Sequence, residues 1–176
     1  MRIIAGKLGG RQFNSPKSHR THPMADKVRG ALFNTLGDIK GLTVLDAFAG
    51  TGALSYEALS RGASSAVVIE TDKLAQRTIA ENVSLLGLGE RIKLIKGSCV
   101  GWGRRYRSEQ FDLVLVDPPF DDFVQMAAID KLTRHVRRPD GLYVLNWPGR
   151  LEAPVLKDFT LLETKGYGDT QLLFYR

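Results

Sequence analysis

The sequence predicts an α/β protein built on a seven-stranded, mostly parallel sheet that ends in an antiparallel hairpin, preceded by a short N-terminal β-hairpin and a helix. Three observations carry this. Near-continuous apolar runs of strand length alternate with helical patterns from residue 42 onward, which indicates strands buried on both faces. The last two apolar runs have no helix between them, so they can only return antiparallel. The first 41 residues lack this alternation and read as an appendage.

The elements follow in order. Residues 1–13 read as two short strands, with Gly6, Gly9 and Gly10 supplying the turn. Residues 14–23 are polar, contain two prolines and read as a linker. Val28, Ala31, Leu32, Thr35 and Leu36 share one helical face, and Gly37 suits the end of that helix. Strands are expected at Leu42–Ala47, Ala66–Glu70, Ile92–Ile95, Phe111–Val116, Gly141–Asn146, Phe159–Leu162 and Gln171–Tyr175. Helices are expected around Leu54, Ala58 and Leu59, from Leu74 to Leu86 with a stop at Gly87, and over about 122–136 with Phe123, Met126, Ile129 and Val136 inward. The organisation expected is an N-terminal basic extension over 1–40 and a catalytic domain over 41–176.

The net charge is +6, and its placement is informative. Residues 1–40 hold eight basic and two acidic side chains, while the rest of the chain is balanced. A basic extension on a neutral body points to a phosphate backbone as partner, with Arg2, Lys7, Arg11, Arg20, Lys27 and Arg29 as candidate contacts; a merely solvating surface is the alternative. With one cysteine, Cys99, no intrachain disulfide can form, and the three scattered histidines do not suggest a metal site. No apolar run is long enough for a membrane span and no signal peptide is evident, so a soluble cytoplasmic protein is expected.

The run from Val44 to Ala53 leaves a strand and enters a helix, which puts Gly50 and Gly52 in the first strand-to-helix turn, after Asp46 and Phe48. Glycine there permits positive φ and close approach of a ligand to the backbone. The third glycine of a dinucleotide fingerprint is missing, because Ser55 stands there. Asp46 suits a cationic ligand better than a pyrophosphate; it could instead cap the turn. Glu70, at the end of the second strand, is placed to accept ribose hydroxyls, with Asp72 capping the following helix. Ser98 and Cys99, in a small-residue turn after the third strand, could flank an adenine.

Asp117-Pro118-Pro119-Phe120 ends the fourth strand, on the same rim as the glycine loop. An amine on a nucleobase is a poor nucleophile, because its lone pair is delocalised into the ring. Two acceptors that bind its N–H bonds can turn that lone pair toward an electrophile. The Asp117 carboxylate and the Pro118 carbonyl are such a pair, the two prolines fix φ in advance, and Phe120 offers a stacking face. Asp117 can also accept the released proton. A simple strand-end turn is the alternative for this motif alone, and it loses weight beside the glycine loop and Glu70.

These motifs resemble class I methyltransferases acting on amino groups, a Rossmann-like fold that uses S-adenosylmethionine. Arg2-Ile3-Ile4-Ala5-Gly6, Gly10-Arg11, Asp26-Lys27-Val28-Arg29, Leu32-Phe33-Asn34 and the tail Tyr167-Gly168-Asp169-Thr170-Gln171 narrow the resemblance to the ribosomal small-subunit methyltransferase D family. The resemblance spans essentially the whole chain. It implies methylation of N2 of a guanine in 16S rRNA, named by its position 966, on assembled small subunits; a monomer is expected separately, because the rim must reach a large partner. It also implies cofactor binding by Asp46, Gly50, Gly52 and Glu70 and a target base held by residues 117–120. The chain departs from the family at His22-Pro23-Met24, at Gly30 and at Ser98. Arg104-Arg105-Tyr106-Arg107 adds a basic cluster that reads either as an RNA contact or as a solvated helix face. Three other functions are weighed: an adenine-N6 methyltransferase, a dinucleotide oxidoreductase and a non-catalytic RNA-binding module.

Overall fold

The computed structural model describes residues 1–16, 23–105, 109–119 and 137–176. The helix expected over 122–136 lies outside them, as do Phe120, Arg20, His19, His22, Tyr106 and Arg107. The elements are α1 (Asp26–Leu36), β1 (Thr43–Asp46), α2 (Ala53–Ser60), β2 (Ser65–Glu70), α3 (Lys73–Leu86), β3 (Ile92–Lys96), α4 (Cys99–Arg105), β4 (Phe111–Val116), β5 (Arg137–Pro148), β6 (Leu161–Tyr167) and β7 (Thr170–Tyr175).

One seven-stranded sheet has the order β3-β2-β1-β4-β5-β7-β6. The first five pair in parallel and β7 pairs antiparallel with both β5 and β6, as the run of elements predicts. The order reverses between β1 and β4, which is where ligands bind in such sheets. Alternate side chains on each strand enter two separate cores. Val44, Val68, Leu115, Val144 and Leu172 face the side covered by α1, α2 and α3. Leu45, Val67, Val114, Leu145 and Leu173 face the other side, with Cys99 and Trp102 of α4. Asp72 caps α3 through the Ala75 amide, and Gly87 ends it in a left-handed conformation.

Four elements differ from expectation, and one of them is β5, which starts at Arg137, before the expected Gly141, where a register shift still pairs Arg137 with Phe111. The N-terminal hairpin is reduced to one antiparallel bridge, Arg2 to Gln12. Its backbone is spent elsewhere: the Ile4 and Ala5 amides donate to Glu57, and those of Lys7 and Leu8 donate to Ser60. Gly6, at φ +83°, allows this contact, since a Cβ there would stand 2.0 Å from the Ser60 carbonyl oxygen. The sixth strand begins two residues late, because Phe159 packs on the Tyr143 ring before the chain turns into an exposed edge. The helix α4 reaches the Arg104–Arg105 stretch, for which a helix face was one expectation, but it starts earlier than any sequence signal, at Cys99; two glycines hide that start, and Ser98 caps it by accepting the Gly101 amide at 3.1 Å.

The N-terminal segment shares the main core. Ile3, Phe13, Met24, Val28, Leu32 and Phe33 pack in the same cluster as Val44 and Val68.

Candidate active site

The strand register builds the site. Asp46 on β1 is aligned with Val68 on β2 and with Leu115 on β4. Glu70 and Asp117 each lie two residues further on, so all three carboxylates project from one face of the sheet at one edge. Leu115 is aligned in turn with Val144 on β5, which puts Asn146 on that face, next to Asp117. The glycine loop arches over the same edge, with Gly50 at φ +53° and Gly52 at φ +79°.

Asp46 is wholly buried, and its Oδ2 accepts the Ser55 hydroxyl at 2.7 Å. Ser55 thus fills the place of the missing third glycine and fixes this carboxyl. Oδ1 has no partner. Burial pushes the Asp46 carboxyl up to about 7; the charges of Asp117 and Glu70 add to this, and the Ser55 hydrogen bond opposes it. Burial also raises Asp117, to about 6, against a hydrogen bond from the Asn146 amide to Oδ1 at 2.7 Å.

Glu70 ties the loop down. Oε2 accepts the Gly50 amide at 2.7 Å, and Oε1 accepts the amides of Thr71 and Asp72, each at 2.7 Å. Cys99 is turned away from the rim: its thiol donates to the Ala47 carbonyl from within the second core. Burial pushes that thiol up to about 12, so it is neutral and its side chain supports the loop from behind. Ser98 is exposed, with its hydroxyl engaged in the α4 cap. Phe48 is half-buried against the second core. Pro118 is buried and Pro119 exposed.

An anionic cofactor would meet three carboxylates here, two of them already raised by burial. A ligand bearing a cation fits, and the unpartnered Asp46 oxygen is an acceptor for one. No group of residues able to hold a metal ion occurs among the described residues.

The family described as Conserved hypothetical protein 95 matches residues 1–176. The Haemophilus influenzae protein named Ribosomal RNA small subunit methyltransferase D is 31% identical over 180 residues, covering 100% of this chain and 93% of that one. The chain belongs to this methyltransferase family. The Escherichia coli K12 member of the same name is 36% identical over 121 residues, 68% of this chain and 60% of that one. A solved hypothetical protein from Thermus thermophilus superposes with a TM-score of 0.83 at 31% identity, over 99% of this chain and 98% of that one. Membership makes the chain an S-adenosylmethionine-dependent enzyme of the class I fold, consistent with a site that favours a cation.

One expected methyltransferase contact is overturned. Arg29 is no RNA ligand, because its side chain is completely buried. Its guanidinium donates to Asp26 at 2.9 Å and to the Arg2 carbonyl at 2.7 Å, and it faces Glu57 at 3.9 Å. A basic residue on the inner face of an amphipathic helix reads as surface charge only until its buried acidic partner is known. Arg2, Lys7, Arg11 and Lys27 are exposed, with Arg11 also reaching the Leu85 and Leu86 carbonyls at the end of α3. Sequence reasoning missed Asn146, Glu57 and Thr170, whose hydroxyl donates to the Asn146 side-chain oxygen. A lone amide at the end of an apolar strand was the only signal for the first.

Proposed function

We propose that this enzyme methylates the exocyclic N2 amine of a guanine in 16S rRNA, at the position numbered 966, with the small ribosomal subunit as substrate and the cytoplasm as its place of work. The observation that carries the reading is the alignment of Asp46, Glu70 and Asp117 on one face at one sheet edge, which sets the motif for an amine beside the loop for a cationic donor.

S-adenosylmethionine would supply, when bound, an electrophilic methyl group on a sulfonium. Asp46 and the backbone of Phe48, Gly50 and Gly52 would hold the donor, with Glu70 anchoring the loop and offering its remaining acceptor positions to the ribose, and with the backbone of the Ser98–Cys99 turn flanking the adenine edge. Asp117 and the Pro118 carbonyl would accept the two amine N–H bonds and orient the nitrogen lone pair. Pro119 would hold that carbonyl's direction, Phe120 would stack on the base, and Asp117 would take the proton that the amine gives up.

Residues 1–40 would form the docking extension and 41–176 the catalytic domain, working as a monomer. Arg2, Lys7, Arg11 and Lys27, with Arg20 from the linker, would meet RNA phosphates. The test gives labelled donor and unmethylated small subunits to the pure protein and identifies the modified nucleoside. N2-methylguanosine supports the reading; N6-methyladenosine, or no transfer at all, removes it. Free 16S rRNA alongside shows whether the assembled particle is required.

A further inference from the structure

Asp117 must present a particular oxygen to the substrate, and a carboxylate at a strand end can rotate about its χ2. We propose that Asn146 and Thr170 act as positioning residues that lock the orientation of the Asp117 carboxylate for methyl transfer. The inference rests on the function proposed above and adds two residues to it.

The geometry is directional. The Asn146 Nδ2 donates to Asp117 Oδ1 at 2.7 Å. An ionised carboxylate only accepts, so the amide must turn its NH2 group toward Asp117 and its oxygen away. That oxygen accepts the hydroxyl of Thr170, which is held on β7 with the Trp147 carbonyl as its other neighbour, 3.2 Å away. If the hydroxyl were absent, that buried amide oxygen would lose its donor, and the orientation the carboxylate requires of Asn146 would be less firmly held. Thr170 thus holds Asn146 in the orientation that binds Asp117, and Oδ1 is occupied. Among the described residues the one hydrogen bond to this carboxylate goes to Oδ1, which leaves Oδ2 to accept an amine N–H.

The antiparallel ending of the sheet makes this possible. On β5 and β7, Asn146 is aligned with Leu172 and Pro148 with Thr170. Both polar side chains continue the row of Val144 and Leu172 on the face where Asp117 lies. Asn146 is 7% exposed, and among the described residues its side chain bonds only Asp117 and Thr170. A buried amide with no other partners is fixed by the group it serves.

The consequence for pH is directional too. Asp117 works as an acceptor only when ionised, so activity falls as pH drops through its pKa. Removing the donor amide destabilises the carboxylate, and the loss then begins at higher pH. The other acidic groups near Asp117 among the described residues are Asp46 on β1 and, beyond it, Glu70 at the end of β2; both stay unchanged in the variants below.

The test compares the full-length wild type with Asn146→Leu, Thr170→Val and Asp117→Ala. Methyl transfer to unmethylated small subunits is followed from pH 5 to 9, and S-adenosylhomocysteine binding is measured by calorimetry. Both positioning variants should lose about tenfold in kcat while keeping their affinity for S-adenosylhomocysteine. The acid limb for Asn146→Leu should move up by about one pH unit. Thr170→Val removes one hydroxyl at nearly constant volume, so it carries the test if Asn146→Leu fails to fold. Wild-type kcat and an unmoved acid limb in these variants, with Asp117→Ala inactive, overturn the inference and leave the proposed function standing. An active Asp117→Ala overturns both.

Discussion

Arg29 of α1 and Glu57 of α2 face each other with no solvent exposure, Nε to Oε2 at 3.9 Å. Glu57 also binds Arg61 at 2.7 Å and the amides of Ile4 and Ala5, so one buried carboxylate joins two helices to the N-terminal segment. Removing Arg29 takes away one of the two cations facing Glu57, deprives Asp26 and the Arg2 carbonyl of their donor, and empties a wholly buried side-chain site. Arg29→Ala should destabilise the protein by about 3–5 kcal/mol, measured by urea unfolding. A loss under about 1 kcal/mol would mean that the pair contributes little.

The exposed basic residues behave differently. Lys7→Ala and Lys27→Ala should leave stability unchanged and each lower the slope of log K against log salt for RNA binding by about 1. Filter binding at several salt concentrations checks this, and an unaltered slope removes that lysine from the docking face.

Asp46 links the site to stability. Its carboxyl stands at about 7 in the folded protein against an ordinary 3.8. A group raised in this way contributes most below its unfolded value and loses that contribution as pH climbs toward its folded value. Thermal melts of the ligand-free protein should therefore fall between about pH 4 and pH 7 and level off above that, and Asp46→Asn should flatten the fall while weakening S-adenosylhomocysteine binding. The shift corresponds to at most about 4 kcal/mol. A pH profile identical in the two proteins would show that Asp46 ionises normally.

Two glycines with the same backbone sign separate conformational from steric cost. Gly52, at φ +79°, would place a Cβ 2.4 Å from the Tyr56 hydroxyl, whereas a Cβ at Gly10, at φ +82°, meets nothing within 4 Å. Gly10→Ala should cost about 1 kcal/mol, through φ alone. Gly52→Ala should cost more and also reduce cofactor affinity, because its loop must move. Calorimetry with S-adenosylhomocysteine distinguishes the two, and equal affinities would argue against a rigid loop.

Glu70 accepts three backbone amides. Glu70→Ala should speed hydrogen exchange at Gly50 and lower cofactor affinity by at least about tenfold. Unchanged exchange would show that the loop is held by other contacts.

Much of the fold was legible because buried parallel strands are written as continuous apolar runs. Phe111–Val116 needed no adjustment, and the alternation of elements led to the antiparallel ending. The edge was less legible. Leu161 and Leu162 look like core residues in the sequence, yet both are exposed on the last strand of the sheet, where pairing with β7 and not burial defines the element. The start of helix α4 was hidden because short glycine-containing helices form through tertiary packing, here by burying Cys99 and Trp102.

The sequence by itself determined the alternating sheet, the loop of Gly50 and Gly52, and the acid-proline-proline turn at Asp117, because these depend on local periodicity and on residue type at strand ends. Only the tertiary structure decided that Arg29 is buried against Glu57, that Ser55 holds Asp46, and that Asn146 and Thr170 reach Asp117. Those contacts join residues on different elements, Asn146 and Asp117 being 29 positions apart, and depend on strand register and helix packing. The physical reason is that a charge or an amide shows its type in a sequence, but whether it meets water or a buried partner is settled only when distant segments pack.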